Sequence, residues 1–133
     1  YCQKKIRNKN IYFYGFVPQS KVGIYINSMD VCLLPNQKIV LSQGGDNISN
    51  FTSPLKMFEY MAHKKVIIAS DLPVLREVLN SKNSILVHSE KPDEWVRSLE
   101  NMKDPQKRAG LQENALADFQ NFRWVERAKN VIK

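Results

Sequence analysis

Four short runs, each apolar from end to end, constrain the fold of this chain more than any other feature: Ile11 to Tyr14, Val31 to Leu34, Val66 to Ala69 and Ile85 to Val87. A strand whose every residue is apolar has to be covered on both faces, and such strands belong to parallel sheets. Helical spacing fills the intervals. Val22, Tyr25, Ile26 and Met29 recur on one face around residues 19–28, a second helix is expected over 53–64, and Pro73 suits the first position of a short helix reaching Leu79. Strands alternating with helices predict an α/β domain, a doubly wound parallel sheet. From Pro92 onward the pattern is wholly helical. Its stripes are Trp95, Val96, Leu99 and Met102; then Leu111, Ala115, Leu116 and Phe119; then Trp124, Val125, Ala128 and Val131. Three helices should therefore form a C-terminal tail.

A length of 133 residues suits one core, so a single domain over 1–133 is expected. Hydrophobic residues at 43% and charged residues at 25% exclude a disordered or fibrous chain. No apolar run approaches the roughly 20 residues that cross a bilayer. Tyr1-Cys2-Gln3-Lys4-Lys5 does not lead into the hydrophobic segment of a secretory signal, so a cytoplasmic location is expected. Cys2 and Cys32 have no metal-ligand spacing and should be free thiols. The net charge of +7 favours an anionic partner of some kind. The basic cluster Lys4, Lys5, Arg7 and Lys9 reads as a solvated face.

The chemistry-bearing stretch is TSPLKMFEYMA, residues 52–62. Thr52 and Ser53 are good N-cap residues, and Pro54 fits the first helical position because its missing donor would be unpaired there. The amides of Leu55 and Lys56 then point out of the helix start, reinforced by the helix dipole, and Lys56 adds a full charge. That combination suits a diphosphate. Glu59 lies four residues beyond Leu55, about 6 Å along the axis, where a carboxylate could accept from the two hydroxyls of a ribose. The competing reading is a surface carboxylate paired with Lys56 or its neighbours. In doubly wound sheets ligands bind at the carboxyl ends of the strands, where a long polar loop containing Gly44 and Gly45 follows Leu34. Ser70-Asp71, at another strand end, reads as an N-cap pair for the helix opened by Pro73. His63 is expected to satisfy the last carbonyls of its helix as a C-terminal cation, and His88 to face solvent.

Three motifs in order, IYFYGFVPQSKVGIYINSMDVCLLP, SPLKMFEYMA and VIIASDLPVLREVL, cover about half the chain. The run from Asn10 to Leu79 resembles the carboxy-terminal donor-binding domain of GT-B glycosyltransferases, in the retaining group called family four or group one. The resemblance implies a Rossmann-like half of a GT-B fold that binds a nucleoside-diphosphate sugar. The diphosphate would rest on Leu55 and Lys56, at the start marked by Ser53 and Pro54, with the ribose on Glu59 and the base near Pro35. It implies transfer of the sugar to a saccharide or lipid-linked acceptor, in surface polysaccharide or glycolipid synthesis at the inner face of the membrane. In the family two glutamates are separated by seven intervening residues; counting back from Glu59, the first falls at Phe51. The family's Gly-x-Pro before the next strand is replaced by Lys64-Lys65-Val66, which predicts a less tightly bent helix end. The earlier part of the donor domain and the amino-terminal acceptor domain are not matched, so the chain reads as a carboxy-terminal piece of a larger enzyme, with that missing domain as a partner. No Asp-x-Asp motif occurs, and neither metal nor cofactor is implied. Catalytic residues are not identified.

Two other readings stand beside it. One is a non-catalytic basic module for nucleic acid or a partner protein; the other is a nucleotide-sugar epimerase of similar fold.

Overall fold

The computed structural model describes residues 8–41, 43–47 and 55–131. In chain order these hold α1 (Gln19–Asn27), β1 (Val31–Leu34), α2 (Leu55–Ala62), β2 (Val66–Ser70), α3 (Pro73–Arg76), β3 (Ile85–Val87), α4 (Pro92–Asn101), α5 (Pro105–Gln120) and α6 (Trp124–Val131). The strands pair in parallel in the order β1-β2-β3, with Cys32 beside Ile67 and Ile68 beside Ile85. The doubly wound α/β class expected from the apolar runs is the observed one.

Alternation along the strands divides the core in two. Leu34, Ile67 and Ala69 face Met57 and Met61 of α2, Leu75 of α3 and Ala115 of α5. Val66, Ile68 and Val87 face the other way, toward Met102, with Trp95 of α4 and Leu111 packed against them. All five residues of β2 are buried, as its composition demands of a central strand covered on both sides. Cys32 is a free, buried thiol, and burial raises its pKa from 9.0 to about 11, which keeps it protonated and inert.

Four expectations need correction. The run Ile11 to Tyr14 is not a strand, and Tyr12 and Tyr14 are 72% and 68% exposed. β-forming residues become a strand only where a neighbour accepts their ladder. This run pairs with none of the described strands, and Tyr14 instead packs edge-on against Tyr25 of α1, ring centroids 5.2 Å apart. Gly15 then turns the chain with φ +70°. The α4 stripe is narrower than its spacing suggests, because Val96 and Leu99 remain exposed while Trp95 and Met102 reach the sheet. In α6, Val125 and Ala128 are likewise exposed.

The end of α2 is the fourth case, since it bends tightly without glycine. The Lys65 amide donates to the Tyr60 carbonyl at 3.0 Å and the Lys64 amide to Met61 at 3.0 Å, the paired bonds of a Schellman turn. Lys64 takes the left-handed conformation this requires, with φ +55°. Such a residue costs roughly 1–2 kcal/mol when it carries a side chain, while its exposed ion pair with Glu113 returns at most about 1 kcal/mol. Lys64→Gly should therefore raise the unfolding free energy by about 1 kcal/mol, read as a higher urea midpoint at unchanged slope.

Candidate functional site

The carboxyl end of β1 and the start of α2 together form a cleft of about 450 Å3, lined by Leu33, Leu34, Pro35, Asn36, Leu55, Lys56 and Tyr60. Its walls are held by the core. Leu34 is buried and anchors the strand end. Beyond it the Asn36 amide donates back to the Leu34 carbonyl at 2.9 Å, and the Asn36 carbonyl accepts from the Ser70 hydroxyl at 2.7 Å, tying the loop to the end of β2. On the opposite wall, Met57 and Met61 fix the rotation of α2 by filling the core. Leu55 and Lys56, just before Met57, are thereby left exposed at the helix start.

Of the residues singled out in the sequence, this cleft brings together Pro35, Leu55 and Lys56. Ser53 and Pro54, like Phe51 and Thr52, lie outside the described residues. Glu59 sits further along α2, half-buried, in an adjoining hollow of about 220 Å3 that shares Lys56 and Tyr60 with the first cleft. The remaining walls of that hollow are Tyr14, Val17, Val22, Tyr25, Ile26 and Met29. Glu59 accepts a hydrogen bond from Gln19 Nε2 at 3.1 Å, across from the start of α1. Among the described residues it forms no ion pair with Lys56. Tyr60 is held above the usual phenol pKa, first by burial and then by the neighbouring Cys32 and Glu59.

Sequence reasoning missed Gln19, Asn36 and Tyr60. Gln19 had no signal beyond its place at a helix start, and its partner lies forty residues away in the chain. Tyr60 was legible only as one more apolar position on α2.

A further cleft of about 450 Å3 opens at the ends of β2 and β3, lined by Lys38, Ile39, Asn47, Asp71, Leu72, Pro73, His88 and Ser89. Here the capping role expected of Ser70-Asp71 is overturned. The N-cap of α3 is Leu72, with no side-chain bond, because Ser70 is turned inward to Asn36 and Asp71 reaches past the cap to Arg76. Arg76 grips both carboxylate oxygens, Nη2 to Oδ2 at 2.8 Å, and holds the Asp71 carboxyl below the usual range. His88 is exposed, as expected. His63 does not serve the carbonyls of its own helix; its Nδ1 bonds Asn27 Oδ1 at 2.9 Å and so ties α2 to α1. No group of three His, Cys, Asp or Glu side chains suited to a metal ion occurs among the described residues. Nor is any described helix long and apolar enough to cross a membrane.

Clefts at the carboxyl ends of parallel strands, with a helix start and a lysine facing one of them, are the setting for an anionic substrate in this class of fold. No curated protein matches the chain. A family model does, that of the glycosyl transferases group 1, and it aligns with residues 1–104, a span that includes β1, β2, β3 and every described wall of both clefts. The chain therefore belongs to the glycosyl transferases group 1 family.

Proposed function

We propose that the chain is the donor-binding half of a retaining GT-B glycosyltransferase, and that it binds a nucleoside-diphosphate sugar at the end of β1. The diphosphate rests on the amides of Leu55 and Lys56 and on the Lys56 ammonium, beside Ser53 and Pro54. Glu59 accepts from the ribose hydroxyls, and the base lies near Pro35. The observation that carries this reading is the meeting of Pro35, Leu55 and Lys56 on one cleft, with Glu59 one turn further along the same helix. Catalysis in such a site consists chiefly of stabilising the departing diphosphate, since fixed donors aimed at developing charge lower the barrier without reorganising. The chain's own groups position and neutralise, without need of a metal or cofactor. The acceptor is a saccharide or a lipid-linked saccharide at the inner face of the membrane, presented with the help of an amino-terminal domain of the same enzyme.

Isothermal titration with uridine, guanosine and adenosine diphosphates tests the proposal. One of the three should bind with high-micromolar affinity or weaker, and the isolated chain should release no sugar from the matching donor. Binding of all three only through charge, with affinity collapsing as salt is added and no base preference, would instead identify a basic nucleic-acid module. Conversion of the donor to its epimer would identify an epimerase.

A further inference from the structure

Two hollows meet on α2, the cleft of about 450 Å3 at the end of β1 and the hollow of about 220 Å3 around Glu59, and the residues they share are Lys56 and Tyr60. Helix geometry explains the pairing. Glu59 and Tyr60 lie three and four residues beyond Lys56, so both sit one turn along from it, on either side of its stripe. A ligand that reaches from the Glu59 carboxylate to the Lys56 ammonium therefore runs past Tyr60.

The Tyr60 ring is half-buried and rests on the core cluster that holds Leu34, Met57 and Met61. Its hydroxyl makes no hydrogen bond to another group among the described residues. No described side-chain oxygen or nitrogen is fully buried without a partner, so this hydroxyl opens on solvent. The polar groups around it are already engaged: Glu59 accepts from Gln19 Nε2 at 3.1 Å, and the Asn36 backbone is bonded at both its amide and its carbonyl. Tyr60 is thus left, with Lys56, as a donor on the shared wall. Burial first, then Cys32 and the Glu59 carboxylate, hold the phenol proton on, which keeps the group a donor throughout the neutral range. A protonated phenol one turn from an ammonium suits an anion, because an O–H that donates to a phosphate oxygen makes a charge-assisted bond. Where Glu59 holds a ribose and Lys56 the outer part of a diphosphate, the group between them is the phosphate esterified to the ribose.

We propose that Tyr60 is a further binding residue for the nucleotide, its hydroxyl donating to the phosphate esterified to the ribose. This rests on the donor reading of the β1 cleft and adds a recognition step to it. The inner phosphate is read by Tyr60, while Lys56 neutralises the outer one.

NMR titration of the 133-residue chain tests it, using whichever of uridine, guanosine and adenosine diphosphate binds best, together with the matching 5′-monophosphate and the unphosphorylated nucleoside. Chemical-shift changes read affinities into the millimolar range, which the nucleoside requires. Tyr60→Phe removes one solvent-facing oxygen and leaves the ring in its packing, so the melting temperature should be unchanged. The variant should bind the diphosphate and the monophosphate about tenfold more weakly, and the nucleoside as well as the unaltered chain does. Equal weakening of all three ligands overturns the proposal, since Tyr60 would then only shape the hollow, and so does unchanged affinity for all three. Loss confined to the diphosphate also overturns it, because the hydroxyl would then serve the outer phosphate. Failure of every diphosphate to bind the unaltered chain is a separate result, which removes the donor reading itself and this proposal with it.

Discussion

Asn83→Leu is expected to lower the unfolding free energy by about 2–4 kcal/mol, because it strands several polar groups at once. Asn83 is fully buried in the turn before β3. Its Nδ2 donates to the Val78 carbonyl at 3.0 Å and to Asp118 Oδ2 at 2.7 Å, while its Oδ1 accepts from the Asn80 amide at 2.8 Å. The side chain thus closes the loop from α3 and fastens it to α5. Leucine shares the branched outline, with bulkier methyl ends, and offers none of these bonds, leaving the Asp118 carboxylate half-buried without its partner. Urea unfolding followed by circular dichroism reads the effect as a lowered midpoint. Asn114→Ala is the control: its Nδ2 donates to the Lys82 carbonyl at 2.8 Å, but the residue is exposed, so its loss should stay near 0.5 kcal/mol. Equal costs for the two would show that burial of the Asn83 network contributes nothing.

Glu59→Ala should weaken binding of the preferred nucleoside diphosphate about ten- to hundredfold, the range set by removing a charged acceptor from two hydroxyls. A loss of that size could also follow from disturbed packing, so the ligand has to be varied as well. The 2′,3′-dideoxy nucleotide should bind the unaltered chain as weakly as the full nucleotide binds the variant, and the two losses should not add. Additive losses would mean that the carboxylate and the ribose do not meet. Gln19→Ala is informative beside it, since Gln19 Nε2 holds one oxygen of Glu59. With that donor gone the carboxylate is less well oriented, and a modest weakening, smaller than that of Glu59→Ala, is expected.

The alternating plan of strands and helices was legible because it is written in composition alone. Val66 to Ala69 could only be a strand covered on both faces, and it is. Ile11 to Tyr14 has an equally good composition and is not a strand, because composition cannot state whether a neighbour will complete the ladder. The same limit runs through the site. The start of α2 was readable from Leu55 onward, but the partner of Glu59 was not, since Gln19 reaches it only after α1 packs beside α2. The turn at Lys64 was misjudged because the missing glycine implied a relaxed end, whereas the two backbone bonds to Tyr60 and Met61 force the left-handed conformation on lysine.

What the sequence by itself determined is that Val66 to Ala69 buries both faces and that α2 buries one through Met57 and Met61; these follow from side-chain chemistry at fixed local spacing. Only the tertiary structure decided that Ser70 would brace Asn36, that Asp71 would turn from the cap to Arg76, and that the strand ends would line two clefts. Those pairings join residues distant in the chain, and their geometry is set by how the helices rest on the sheet, a quantity no local pattern encodes.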